Sequence, residues 1–514
     1  MAAQRYERLL AIVTSFLLIV GVAAVAEGGD DEFRPEIDDV AAPASDDPAE
    51  VGSEGPVDTP SEALTPSPSP AGVASPGPRG TGSPAPGATT PPSPSDGGGQ
   101  PTSQPPPPPP TRPTPTPTTQ PPPPSPTPQW PSSGAYSAES ARVGITDTTI
   151  RLCMHAPFLL GPVFDNHPED EDVYWRWLND QGGVHGRSVE ISFTDDQYTA
   201  SGAVQAAAAC DDRDPFLMLG GVGFDQTPTV RNYAETNGIP YLHTMAVGAD
   251  PATLDHSYTG SPTIEQVGRL VAQRVASKHP NKQVGVIWVN SENWKAGRDA
   301  FRAELKRLGK DGNVVYDDDI PSNNEGFLPY IVDMRNAGVE VLYFHANALA
   351  MARFFREADG QGYRPHVIGE DGFNLVTDTA GEQMRNFPSA EVVWVTPAYD
   401  PSDTSTPYND EIQRMRDAYA QYRPGKTPND VDWMFWVAFK QLHGMLEDCG
   451  RACDRNLLTG MLQSGYSATV DPMCNVDFSR GAGHFGGYLV NLYSAIPKGD
   501  TSVWKQTATC VSSL

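Results

Sequence analysis

Between Ala63 and Pro131, 27 of 69 residues are Pro. Pro lacks a backbone N–H and holds φ near −65°, so chain this dense in Pro builds neither a helix interior nor a central strand. It also lacks the large apolar side chains that a core needs. The fold must lie elsewhere, and the chain divides accordingly. Residues 27–140, an acidic run followed by the Pro-rich one, read as a disordered stalk; Pro-rich chain at about 3.1 Å per residue reaches on the order of 100–200 Å. Residues 141–514 read as globular, and a stretch of that length exceeds one compact core, so two lobes are expected.

Arg5 and Arg8 precede an apolar run from Leu9 to Ala26, broken only by Thr14, Ser15 and Gly21. This is the pattern of an export signal or of a single membrane anchor. Ala24-Val25-Ala26 fits a cleavage site, whereas a following stalk suits an anchor that holds the globular part off a membrane. The expected location is the outer face of the cell membrane, or the medium if the signal is cleaved. From residue 141 on, 31 Lys and Arg stand against 48 Asp and Glu. That balance argues against nucleic acid as a partner, because phosphate backbones call for clustered cations.

All six cysteines, Cys153, Cys210, Cys449, Cys453, Cys474 and Cys510, fall in the globular part. An even number in an exported chain predicts disulfides. Fifteen pairings are open by sequence alone, although Cys449 and Cys453 are close enough for a local bridge. No CxxC, HExxH or His pair at helical spacing accompanies them, so no metal site is expected.

Short apolar runs then alternate with amphipathic ones. Strands are expected at Thr149–Met154, Val189–Phe193, Phe216–Leu219 and Pro240–His243. Helices are expected at Asp172–Gln181, Ser201–Cys210 and Pro228–Asn237. The unit repeats, with strands at Gln283–Val289, Val314–Asp317, Val341–Phe344, 367–368 and Val392–Val395. Its helices are Thr263–His279, Lys295–Leu308, Pro329–Ala337 and Leu349–Ala358. Such alternation predicts an α/β fold of two doubly wound lobes with parallel sheets. Ligands of such sheets sit beyond the carboxyl ends of the strands.

Several pieces together resemble the type I periplasmic substrate-binding proteins, the leucine/isoleucine/valine-binding family of ABC transporters. They are Gly182-Gly183-Val184-His185-Gly186-Arg187-Ser188-Val189-Glu190 with Thr194-Asp195-Asp196-Gln197-Tyr198, Gly161-Pro162, Val286–Asn290, and Val367-Ile368-Gly369-Glu370-Asp371-Gly372. The resemblance spans about 144–500. It implies lobe 1 from 141–262 with 396–472 and lobe 2 from 263–395 with 473–514. A three-strand hinge is implied near Gly260–Pro262, Val393–Pro397 and Pro472–Val476. It further implies a monomeric, cofactor-free solute receptor that is no enzyme and that serves an ABC permease. The alternative is a ligand-sensing domain for signalling or cell-wall regulation without transport.

Six loops end strands and so are expected to face the ligand: Pro157–Phe164, Gly220–Phe224, His243–Gly248, Asn290–Trp294, His345–Asn347 and Glu370–Phe373. The resemblance makes Asp371 the partner of a ligand ammonium. Gly221 and Gly223 stand where the family has hydroxyl side chains, so their backbone N–H groups would serve a carboxylate instead. Phe158, Phe164, Phe224, Trp294 and Phe373 predict an aromatic lining. His243, Thr244, His345 and Asn347 would add polar selectivity.

Bland readings compete with sharper ones. Gly220–Gly223 lacks the spacing and Lys of a phosphate loop and reads as a turn. His243 and His345 have no neighbours at metal-ligand spacing. Trp433, Phe435, Trp436 and Phe439 read as the packing face of a helix over Asn429–Glu447, and Asp317-Asp318-Asp319 as a solvated turn. No nucleophile elbow, Ser-x-x-Lys or recognisable carboxylate pair supports catalysis.

Overall fold

The computed structural model of the chain describes residues 130–512, except 159–165, 224, 246–250, 252, 323, 371–373, 403, 470–471 and 481–482. The apolar run at 9–26 and nearly all of the expected stalk lie outside the described residues.

The first sheet is wholly parallel. Along the chain run β1 (Thr149–Ala156), α1 (Pro168–Glu171), α2 (Val173–Asp180), β2 (Ser188–Asp195), α3 (Ala200–Asp211), β3 (Leu217–Gly220), α4 (Gln226–Thr236), β4 (Tyr241–His243) and β5 (Ser257–Thr259). The strand order is β2-β1-β3-β4-β5. The second lobe repeats the scheme with α5 (Ile264–Lys278), β6 (Val284–Val289), α6 (Glu292–Arg307), β7 (Val314–Ile320), α7 (Leu328–Ala337), β8 (Val341–His345), α8 (Ala348–Gly360), β9 (His366–Gly369), α9 (Asn374–Ala380) and β10 (Glu391–Trp394).

Then α10 (Asn409–Tyr422), α11 (Asp430–Cys449) and α12 (Arg455–Gln463) follow, before the ribbon β11 (Ser467–Ala468) and β12 (Val476–Asp477). The chain ends in β13 (Leu489–Lys498) and β14 (Thr501–Ser512), which extend the second sheet to the order β14-β13-β10-β9-β8-β6-β7. Within it β6 to β10 are parallel, while β13 and β14 are antiparallel additions at one edge.

Local sequence explains the boundaries. Thr263 and Gln266 form a reciprocal capping box that starts α5, and Asn429 with Asp432 does the same for α11, satisfying N–H groups that a helix start leaves open. Gly338, at φ 77°, ends α7 in the left-handed region that Gly enters without penalty. Strands β3 and β8 are buried along their whole length, as apolar runs in the middle of covered parallel sheets should be.

Three passages join the lobes. The first leaves β5 through Gly260–Pro262, the second leaves β10, and the third runs from α12 through the β11–β12 ribbon to β13. The first and third lie side by side: Thr259 N–H donates to His484 O at 2.9 Å and Gly486 N–H to Thr259 O at 2.8 Å. Tyr493 Oη donates to Thr396 O at 2.8 Å and ties the third to the second. Gly487 permits the close approach, since a Cβ there would lie 2.1 Å from the carbonyl carbon of Ser261.

After the second passage the chain packs against the first lobe again. Tyr174 of α2 meets Trp436 of α11 edge to face at 4.9 Å, and Trp433, Phe435, Trp436 and Phe439 are all buried. The three disulfides are Cys153–Cys210, Cys449–Cys453 and Cys474–Cys510. The local bridge at the end of α11 is thus present, and the other two close long loops.

Four readings need correction. The helix expected over Asp172–Gln181 is present as α2, but an unforeseen turn, α1, precedes it and meets it at Asp172; Pro168 starts that turn, at a position where its missing N–H is harmless. Strand β5 and the β13–β14 hairpin were not anticipated, because three residues carry no periodicity and β14 is polar along most of its length. Asp317–Asp319 lie in strand β7, where Asp317 pairs with Arg298 and Arg302.

Finally, the packed chain begins upstream of residue 140. Trp130 Nε1 donates to Asp448 O at 2.8 Å and the indole meets Tyr466 edge to face. Ser133 N–H donates to Asn456 O, and Asn456 Nδ2 donates to Tyr136 O at 2.8 Å while its Oδ1 accepts from Tyr136 N–H at 3.0 Å. Pro131 itself lies against Gly460, where a Cβ would come within 1.9 Å of its carbonyl oxygen.

Candidate functional site

Each sheet has a place where strand order reverses, and there the loops leave the carboxyl edge in opposite directions to open a crevice. In the first lobe it falls between β1 and β3, in the second between β6 and β8. The two crevices meet. Ser291 Oγ, just beyond β6, donates to Asp225 Oδ1, just beyond β3, at 2.8 Å. Asp225 immediately precedes α4, and Ser291 caps α6 by accepting from Trp294 N–H.

In the first lobe the loop ends are braced from below. His155, fully buried, faces Asp196 Oδ2 through Nδ1 at 2.9 Å and Tyr241 Oη through Nε2 at 3.0 Å. Asp196 Oδ1 accepts from Tyr198 N–H, while Asp195 Oδ1 accepts from Gln197 and Phe158 N–H groups. Gln197 and Tyr198 have φ of 53° and 55°, a strained choice for such residues that the two carboxylates hold in place. Gly220 and Gly221 let this network close up: a Cβ on the first would lie 2.3 Å from Tyr241 Oη, and on the second 2.4 Å from His155 O.

His243 is buried, and its Nε2 donates to Gly221 O at 3.1 Å. Burial pushes its pKa down to about 3, so the ring is neutral and Nδ1 is an acceptor with no hydrogen-bond partner among the described residues. Gln226 Oε1 is likewise buried and, among the described residues, without a partner; a Cβ on Gly223, itself at φ 135°, would sit 2.4 Å from it.

The second lobe has its own buried network. His345 faces Glu370 Oε2 through Nδ1 at 2.6 Å and Trp294 O through Nε2 at 2.7 Å. Tyr343 Oη donates to Glu370 Oε1, and burial beside that carboxylate holds the phenol well above its ordinary pKa. Gly297 makes room, since a Cβ would come within 2.5 Å of His345 Nε2.

The structure brings His243 to Gly221 beyond β3 and β4, places Phe158 beside β2 through Asp195, and puts Trp294 in the first turn of α6. Phe158 packs edge to face on Phe193, and Trp294 on His345. His345 has both ring nitrogens engaged inside the second lobe, and the side-chain oxygen of Asn347 caps α8 through Ala350 N–H at 2.9 Å. Phe164, Phe224, Asp371 and Phe373 lie outside the described residues. Ser291 lies within the expected ligand-facing loop Asn290–Trp294 without having been singled out, and Asp225, one residue past Gly220–Phe224, escaped the sequence reading. Among the described residues no cluster of His, Cys, Asp or Glu is arranged to hold a metal ion.

A family model described as periplasmic binding protein matches residues 172–490. The chain belongs to the type I periplasmic binding proteins. Two similar relatives bear Leu/Ile/Val-binding names: homolog 3 of Brucella melitensis, 26% identical over 47% of this chain and 67% of its own length, and homolog 7 of Brucella abortus, 21% identical over 49% and 64%. Among solved structures, a fatty acid ABC transporter substrate-binding protein from Thermomonospora curvata aligns with a TM-score of 0.57 at 15% identity, covering 72% of this chain and 94% of its own. A solute-binding protein from R. palustris in complex with benzoate aligns at 0.54 and 18%, covering 71% and 97%. A substrate-binding protein from Desulfitobacterium hafniense in complex with Leu aligns at 0.52 and 17%, covering 70% and 100%. At these identities the structural likeness speaks for the fold. Periplasmic binding proteins of this type bind solutes and are not enzymes. Among the described residues no helix is long and apolar enough to cross a membrane.

Proposed function

We propose that this periplasmic binding protein captures a small solute between its two lobes, outside the membrane, and delivers it to an ABC permease. The reading rests on the Ser291–Asp225 contact, which brings together the two strand-order reversals where α/β sheets take ligands. Phe158, Gly221, Gly223, His243, Thr244 and Trp294 line the site; His345 and Asn347 support it from behind, and Asp371 adds a carboxylate from the second lobe. The N-terminal apolar segment exports the chain, as an anchor or as a cleaved signal. Relatives with leucine, benzoate and fatty acid in their names support a small organic solute as cargo.

A thermal-shift screen of the full chain against amino acids, amides, small peptides, aromatic acids and fatty acids tests the reading. A bound solute raises the melting temperature with the logarithm of its concentration. Uptake of that solute should fall in cells that lack the chain. A bound solute whose uptake is unchanged would leave sensing in place of transport.

A further inference from the structure

Helix starts attract anions, because their first N–H groups are unpaired and the macrodipole is positive there. At the interlobe gap two such starts, those of α4 and α6, are brought together, and the protein has put a carboxylate of its own between them. Asp225 is half-buried, and among the described residues it has no ion-pair partner; its hydrogen bond is the single one from Ser291. A carboxylate has room for about four donors, so most of its accepting capacity is unmet. The neighbouring polar atoms point to the same deficit. Gln226 Oε1 and His243 Nδ1, both more than nine-tenths buried, are acceptors that receive no hydrogen bond among the described residues. Buried acceptors of this kind are normally satisfied, and a group that met them would have to donate. Burial also raises the pKa of Asp225, as expected for a carboxylate short of donors and cations.

Resting on the solute-binding reading above, we propose that Asp225 sets the specificity of the interlobe site: it selects solutes presenting N–H donors, as an amine or amide does, and rejects a carboxylate in the same position. The nearest helix starts then stabilise the internal anion instead of a ligand's. Like charge against like in a desolvated gap excludes the acid.

The test uses compounds matched in skeleton, benzylamine, benzamide and benzoate, with calorimetry and thermal shift on the full chain at neutral pH. The amine or amide is expected to bind more tightly than its acid by about 30-fold or more, the usual scale for truncating a buried charged pair. Asp225→Asn should erase or reverse that order, and Asp225→Glu should keep it. The wild-type order alone decides if a variant fails to fold. Benzoate binding as tightly as benzylamine or benzamide would overturn the proposal while leaving the solute-binding reading intact. If none of these compounds and none of the wider screen raises the melting temperature, both readings fall together.

Discussion

At the scale of single residues, two buried histidines are matched to carboxylates and phenols. His155–Asp196–Tyr241 and His345–Glu370–Tyr343 are buried networks, one at the carboxyl edge of each sheet. Removing one member of such a set leaves the others desolvated and unpaired, which costs about 3–5 kcal/mol. Glu370→Ala should therefore lower stability by about that amount in urea unfolding, and a loss below about 1 kcal/mol would mean that water replaces the carboxylate. His243 gives a pH signature. Its pKa is about 3 when folded, against an ordinary 6.5, so the unfolded chain takes up a proton that the folded one refuses. Its contribution is whole above pH 6.5 and lost as pH falls towards 3, at up to about 1.4 kcal/mol per unit. His366, held down to about 4, adds the same sign, whereas Asp432, pushed up to about 6 by burial, opposes it between about 3.8 and 6. His243→Gln should flatten the acid side of the stability curve; an unchanged slope would show that His243 is protonated in the fold.

At the scale of elements, the feature with most consequence is the docked strap from Trp130 to Arg142. Its Pro and Ser looked like more stalk, because composition reports what a segment cannot do alone and says nothing about a groove elsewhere that accepts it. That groove is built by Asp448, Asn456, Thr459, Gly460 and Tyr466. Limited proteolysis of the full chain should leave a protected fragment whose first residue lies upstream of Ser133, read by mass spectrometry. Cleavage between Ser133 and Arg142 would contradict the docking. The Cys474–Cys510 bridge acts at the same scale, tying the third passage to the last strand across 36 residues. Replacing both by Ser should cost about 3–4 kcal/mol by loop entropy, measured by urea unfolding of the variant against the oxidised wild type.

At the scale of the whole molecule, three adjacent passages join the two sheets, and a solute that contacts both lobes is expected to favour a closed arrangement about them. All six cysteines are paired, so new thiols can be labelled selectively. Val204 on α3 and Val332 on α7 are exposed, one on each lobe. Spin labels at Val204→Cys and Val332→Cys should report a narrower distance distribution once a solute from the screen is bound. A distribution that saturating solute leaves untouched would argue for a rigid cleft.

What the sequence determined by itself was whatever depends on near neighbours along the chain. Apolar runs of strand length alternating with helical periodicity specify parallel βαβ units, since each crossover has one favourable hand and each strand one buried environment. Hence the elements from β1 to β10, apart from β5, α1 and α9, were legible within a few residues, and so were the loops at their carboxyl ends. Tertiary structure alone decided which of those loop residues face each other. Phe158, Trp294 and His345 looked alike as polar or aromatic loop residues, yet the fold buries all three and engages His345 within its own lobe, because a histidine among unpaired acceptors gains most by donating there. Asp225 and Ser291 lie far apart in sequence and have no shared motif. Their contact exists because two sheets with the same strand order are turned edge to edge by the hinge, a relation set by packing across the interface and invisible to local pattern.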